Sequence, residues 1–190
     1  IIMNTTTKNT LIEAVKIVSK LIGTAVAALV LWYLISLGYT AYGLVHPATR
    51  ADCDQIWALL QPVFSAGDTY AVDPLIDRDA AITYWMDAEK TAFILRVDGQ
   101  AVGTYYIRPN QPGGGAHICN CGFITAPSAR GKGVARRMLE HALIEAKQQG
   151  YRAMQFNFVL ASNQRALAIW QRYGFATIGR IPQAFLHPKQ

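Results

Sequence analysis

The sequence predicts an α/β fold over residues 41–190, a mixed central β-sheet with helices on both faces, preceded at residues 1–40 by a hydrophobic helix. Three observations carry that expectation. Runs rich in β-branched and aromatic residues alternate with stretches of helical spacing along residues 41–190, the pattern of a sheet covered by helices. The dipeptide Asp98-Gly99 stands between two such runs, as a tight hairpin requires. Leu21–Tyr39 is strongly apolar and contains no charged side chain. At 190 residues there is room for one domain of ordinary size and an appendage.

The elements follow in order. Thr10 and Glu13 have the spacing of a capping box, so a helix is expected from Leu11 through the uncharged stretch to about Leu37. A short strand is expected near Ala41–Val45. Thr49 caps a helix from Arg50 to about Phe64, and Asp77 caps a second over Arg78–Met86. Thr91–Val97 and Gln100–Ile107 form the hairpin, and Pro109–Gly115 is a glycine-rich connection too long for a tight turn. A strand over His117–Thr125, a helix over Gly133–Gln148 and a strand over Arg152–Phe158 come next. Asn163–Tyr173 reads as a helix and Phe175–Ile181 as a strand. On the Gly133–Gln148 helix, Val134, Met138, Leu139, Leu143 and Ile144 make the face expected to pack on the sheet.

Charge and cysteine usage narrow the function classes. The net charge is +6, of which residues 46–190 hold +4, from 15 Lys/Arg against 11 Asp/Glu. No basic stripe interleaved with aromatics runs through them, so a nucleic-acid partner is not expected. Only Arg130, Lys132, Arg136 and Arg137 cluster, a grouping that suits a small polyanion and is also common on a solvated helix face. Cys53, Cys119 and Cys121 form no paired framework, and reduced thiols in a cytosolic compartment are expected. His117, Cys119 and Cys121 alternate along one strand face. Ligands from one flat strand diverge, so these are read as core-lining residues and no metal is expected.

Chemistry is concentrated in one segment. A strand, Pro127, then Arg130-Gly131-Lys132-Gly133-Val134-Ala135, then an amphipathic helix is a device for holding an anion. Gly131 and Gly133 allow backbone N–H groups to point inward with no Cβ in the way. The helix start adds free donors and the positive end of its dipole. The spacing is not that of a dinucleotide fingerprint, which needs a third glycine and a following acid, nor of a P-loop, which needs Ser or Thr after its Lys. A diphosphate fits those donors.

At these residues the sequence resembles the GNAT acetyltransferase superfamily. Arg130, Gly133 and Ala135 match its Gln/Arg-x-x-Gly-x-Gly/Ala motif, and Asn163, Ala166 and Gly174-Phe175 match its later cofactor helix. Gly103–Asn110, Cys119–Phe123 and Phe156-Asn157 resemble more closely the yeast L-azetidine-2-carboxylate N-acetyltransferase group. The resemblance implies a GNAT-like sheet, acetyl-CoA as co-substrate, and acetyl transfer to the amine of a small metabolite, with a proline-like amino acid as one acceptor. It implies that backbone groups around Phe123, Ile124 and Thr125 pair with the pantetheine arm, while Arg130, Gly131, Lys132, Gly133, Val134 and Ala135 hold the diphosphate. Asn163 would open the later cofactor helix. Trp170 falls where many members carry a tyrosine acid; an indole cannot donate a proton at neutral pH, so Trp170 is expected to pack on the cofactor, and Tyr173 is assigned no role.

The reaction needs an amine held with its lone pair forward. Asn120 is assigned that catalytic task through its amide oxygen, Asn157 is assigned a substrate carboxylate or amide, and Tyr70, with Asp68, lies in the loop over the acceptor. Two rivals stand beside this reading: acetylation of a protein or peptide N-terminus, and a membrane-tethered acyl-CoA-binding module without turnover. Leu21–Tyr39 is about long enough to cross a bilayer, and membrane anchor, cleaved secretory signal, and soluble packing helix or non-native extension all stay open for it. Lys8, Lys16 and Lys20 would put the main domain outside the cell by the positive-inside rule, whereas acetyl-CoA demands a cytoplasmic catalytic domain. Family members usually add a strand after Phe185–Pro188, so that sheet edge is expected to be missing or completed by a partner, a homo-oligomer included.

Overall fold

The hairpin about Asp98-Gly99 is the spine of the sheet. Both residues take positive φ, 50° and 77°, as the turn of a two-residue hairpin requires, and they join β2 (Thr91–Val97) to β3 (Gln100–Pro109). In this computed structural model, which describes Val26, Leu29, Trp32, Tyr33 and residues 43–188, β1 (Leu44–Pro47) lies antiparallel to β2. On the other side β4 (Ile118–Thr125) lies antiparallel to β3, and β5 (Ala153–Met154) runs parallel to β4. Among the described residues the sheet order is β1-β2-β3-β4-β5.

Helices cover both faces. The Asp52 carboxylate accepts from the backbone N–H and the hydroxyl of Thr49, which sets the 3-10 turn leading into α1 (Cys53–Ala66). That helix stops at Gly67, whose φ of 60° is the usual left-handed stop signal. The Asp77 carboxylate accepts from Ala80 N–H at 2.8 Å and starts α2 (Arg78–Met86) where the sequence placed it. Ile56, Leu60 and Phe64 of α1, with Ala81 and Trp85 of α2, are buried on one face of the sheet. Trp85 donates from Nε1 to the Thr104 hydroxyl there, so it is buried with its N–H satisfied. On the opposite face lies α3 (Val134–Gln148), with Val134, Met138, Leu139, Ala142 and Ala146 buried. The helix α4 (Gln164–Arg172) is capped by the Asn163 side chain, which accepts from Ala166 N–H.

Several expectations are corrected. The last sheet strand, expected over Arg152–Phe158, is two residues long, and Phe175–Ile181 forms no strand. An alternating apolar run becomes a strand only where a neighbouring edge offers its backbone groups, and β5 does not extend past Met154; Ile178 and Ile181 are exposed. Ile144 faces solvent, the buried stripe of α3 continuing through Ala142 and Ala146 instead. Cys119 and Cys121 are buried, but His117 is exposed, its Nδ1 against the Gly114 carbonyl, because it precedes the strand and is not bound by the pleat. No group of three or more His, Cys, Asp or Glu is placed for a metal ion among the described residues.

The expectation for residues 1–40 falls outside the described residues except at Val26, Leu29, Trp32 and Tyr33, which are helical and exposed. No helix among the described residues is long and apolar enough to cross a membrane.

Candidate active site

The site begins with the way β4 divides its backbone between two neighbours. Along a strand, successive N–H and C=O groups point to opposite sides. Even-numbered residues of β4 face β3: Ile118 C=O accepts from Asn110 N–H, and Ala126 N–H, just past the strand, donates to Val102 C=O. Odd-numbered residues face β5: His117 C=O accepts from Arg152 N–H and Cys119 C=O from Gln155 N–H. Ladder pairing with β5 then stops at Cys119↔Met154. Phe123 and Thr125 therefore turn their backbone groups to an edge that β5 does not cover. Of the three residues expected to pair with a cofactor arm, the structure sets Phe123 and Thr125 at this edge, while Ile124 faces β3, where it is paired with Thr104.

Directly beyond that edge lies the glycine loop. Pro127–Ala129 makes one 3-10 turn, Arg130 N–H closes on Pro127 C=O and Lys132 N–H on Ala129 C=O. Gly131 and Gly133 both have φ of 78°, and a Cβ built on either would meet nothing within 4 Å. Their glycines are thus required by backbone conformation, and the space in front of them is open. Helix α3 starts at Val134, and its first intrahelical bond runs from Arg137 N–H to Gly133 C=O. The N–H groups of Val134, Ala135 and Arg136 have no carbonyl of the helix itself four residues back. Arg130 and Lys132 are exposed beside them. Donors, dipole and basic side chains converge where a diphosphate fits.

The residues expected to meet the acceptor lie on the face covered by α1 and α2. Asn120 is 8% exposed, and its Nδ2 donates to Gln155 C=O at 2.8 Å. The side chain thus replaces the next rung of the ladder at the point where β4 and β5 part. Gln155 Nε2 donates to Asn157 Oδ1 at 3.1 Å, and Asn157 Nδ2 to Asn110 Oδ1 at 2.7 Å. Asn120 and Asn157 are therefore brought together through Gln155, with Asn157 the more exposed. The Tyr70 hydroxyl donates to the Phe123 carbonyl at 3.0 Å. Burial pushes its pKa well above the ordinary phenol value, so it stays a donor. Sequence reasoning placed Tyr70 over the site but missed this contact; nothing local to residue 70 signals it. Asp68 accepts from Thr69 and is not drawn into the amide chain.

Trp170 is 9% exposed and stacks on Phe156 at 4.5 Å between centroids, with Phe123 at 5.4 Å and Phe175 at 6.2 Å. These rings wall the gap beside Phe123. Tyr173 turns the other way, its hydroxyl donating to Glu140 of α3. Asn163 is spent on capping α4.

Comparison with known proteins gives a consistent frame. The family described as Acetyltransferase (GNAT) family matches residues 53–175. The N-acetyltransferase aca1 of Schizosaccharomyces pombe is 40% identical over 152 residues, which cover 80% of this chain and 66% of that protein; the chain thus spans a little under two thirds of that relative. The structure of a GCN5-related N-acetyltransferase from Kribbella flavida superposes with a TM-score of 0.72 at 37% identity, covering 76% of this chain and 89% of the other. A putative acetyltransferase, yncA, from Salmonella typhimurium, solved with its cofactor acetyl-CoA, shares the fold, with a TM-score of 0.68 at 18% identity over 76% of this chain and 85% of its own.

Proposed function

The chain belongs to the acetyltransferase (GNAT) family, an acyltransferase family, and on that premise we propose that it moves an acetyl group from acetyl-CoA to the amine nitrogen of a small metabolite, a proline-like amino acid by its closer resemblance. The observation that carries this reading is the continuity of two features. The edge of β4 at Phe123 and Thr125, which β5 leaves unpaired, runs directly into the open, donor-lined loop at Gly131 and Gly133. A pantetheine arm with a diphosphate at its end needs an extended backbone to pair with and a cluster of N–H donors beyond it. This chain supplies both in that order.

Acetyl-CoA brings the activated acyl group; the residues of the chain orient, polarise and exclude water. The edge N–H groups of Phe123 and Thr125 are fixed donors in a largely buried strand, where a hydrogen bond to a carbonyl oxygen is worth more than in water. Tyr70 takes the Phe123 carbonyl, so that this peptide is held from both ends. Gly131, Gly133, Val134 and Ala135 offer N–H groups to the diphosphate, and Arg130 and Lys132 add charge. Phe156 and Trp170 close the apolar side of the arm. On the acceptor face, Asn120 has its Nδ2 committed to Gln155, which turns its Oδ1 to an incoming N–H and brings the lone pair of that nitrogen forward. Asn157, further out, offers a polar contact to the body of the acceptor.

The test is release of free thiol from acetyl-CoA by the purified protein with a panel of primary and cyclic secondary amines. Amine-dependent release supports the reading; binding of acetyl-CoA with no amine-dependent release would leave a binding module.

A further inference from the structure

Arg108 is a cation with a buried, unpartnered donor, and it stands beside the residue assigned to the acceptor amine. It is paired with Asn120 in the β3–β4 register, and β4 presents its even-numbered residues to β3 as hydrogen-bonded pairs, which puts the two Cα atoms about 5.5 Å apart. Side chains opposite one another share a face. That face is the acceptor face: the ring of Tyr106, two residues before Arg108, packs edge-on against Trp85 at 4.9 Å and lies over Gly122, two residues after Asn120.

Two cations meet the tyrosine pair Tyr84 and Tyr106, and they differ sharply. The Lys90 side chain is 5% exposed and fully answered: its ammonium pairs with Asp87 at 2.8 Å, donates to the Tyr84 carbonyl, and sits 4.4 Å and 5.0 Å from the ring centres of Tyr84 and Tyr106. The field of Arg108 reaches Tyr84, Tyr106 and Asp87, yet Asp87 makes its contact with Lys90. Arg108 Nε is buried with no hydrogen-bond partner. A buried, unanswered donor on a charged group costs free energy unless water or a ligand supplies the acceptor, and the residue as a whole is only partly buried. A guanidinium fork matches carboxylate and phosphate groups, and the one that an amino-acid acceptor carries is a carboxylate.

We propose that Arg108 is the specificity-determining residue of the acceptor side, binding the carboxylate of an amino acid whose nitrogen lies at Asn120. The proposal rests on the acetyl-transfer reading. The spacing suits it: nitrogen and carboxylate of such an acid are one carbon apart, and Arg108 and Asn120 are neighbours across one pair of strands. Asn157 is the weaker carboxylate partner, since its amide is already engaged with Gln155 and Asn110.

The experiment compares kcat/KM for a cyclic imino acid with that for its carboxamide, by thiol release, in the wild type, in Arg108→Gln and in Arg108→Lys. Differences in the intrinsic reactivity of the two amines cancel when the acid-to-amide ratio is compared between proteins. The wild type should favour the acid, and Arg108→Gln should lower the ratio about ten- to a hundredfold, mainly through KM of the acid. Arg108→Lys, keeping charge without the fork, should fall between. A general loss of stability lowers both substrates alike and leaves the ratio in place. An unchanged ratio in a folded Arg108→Gln protein overturns the proposal. Should that variant fail to fold, a wild-type ratio near one, or an unchanged ratio in Arg108→Lys, overturns it equally. Turnover of carboxylate-free amines alone sinks the Arg108 assignment and leaves acetyl transfer standing, whereas no turnover with any amine sinks both.

Discussion

Gly122 in β4 and Gly133 before α3 are the same residue used for opposite reasons. A Cβ on Gly122 would fall 2.5 Å from a ring carbon of Tyr106, so glycine is there because the space is already filled. A Cβ on Gly133 would meet nothing within 4 Å, and glycine is there because φ is 78°. The sheet is packed from both faces by the chain's own side chains, while the loop faces open space. Changes in the first region should register as stability and changes in the second as binding.

The sharpest test of that division is Gly133→Glu. The left-handed backbone costs a non-glycine residue about 1–2 kcal/mol, tolerable for a domain stable by about 5–15 kcal/mol, but the added carboxylate would meet the diphosphate. Affinity for acetyl-CoA should fall more than about a hundredfold in a protein that still melts cooperatively. Calorimetry giving wild-type affinity in the folded variant would remove the loop from the cofactor site.

Asn120 lies on the boundary between the two regions, buried in the strand at the point where β4 and β5 part, and is proposed to orient the acceptor. Asn120→Ala should lower kcat by about ten- to a thousandfold, the range for one positioned polar group lost from a transition state, with acetyl-CoA affinity nearly unchanged. Because Nδ2 also holds Gln155 C=O, a parallel loss of acetyl-CoA affinity would show that the side chain serves the parting of β4 and β5 instead.

Gly122→Ala should act on the other side of the comparison. Forcing a methyl group against Tyr106 should cost about 1–3 kcal/mol, read as a lower midpoint in urea at constant slope, with acetyl-CoA affinity retained. A stability change under about 0.5 kcal/mol would mean that Tyr106 swings aside and that this face is looser than its packing shows.

How much of this could be read from residues alone follows the range of the interactions. The hairpin at Asp98-Gly99, α2 behind Asp77 and α3 behind Gly133 are set by turn chemistry and caps that act within three or four residues, and they lie where the sequence placed them. The strands after Arg152 and at Phe175–Ile181 depend on edges supplied from elsewhere, and there alternation overstated the sheet. The glycine loop before α3 was legible because its glycines, helix start and basic residues are contiguous. The Tyr70 contact with Phe123 joins residues 53 apart and left no trace in either segment. Arg108 was missed although a signal existed: Thr104, Tyr106 and Arg108 alternate onto one face, and Thr104 and Tyr106 are buried there. A charge near the end of a strand reads as solvated until the helices over that face are in place.

The smallest expected effect belongs to Tyr173. It ends α4, and its hydroxyl donates to Glu140 of α3, a carboxylate that also lies 3.8 Å from Arg136. Burial first, then the Glu140 hydrogen bond, raises the pKa of the phenol, so it keeps its proton and its partner at neutral pH. A proton donor for a departing thiolate has to face the β4 edge, and this hydroxyl instead ties one helix to another. Tyr173→Phe removes one hydrogen bond between partly exposed groups, at a cost of about 1 kcal/mol or less, and should leave kcat/KM within about threefold. A loss beyond about a hundredfold, with the melting temperature little changed, would mean that Tyr173 leaves Glu140 when acetyl-CoA binds and supplies the acid that Trp170 cannot.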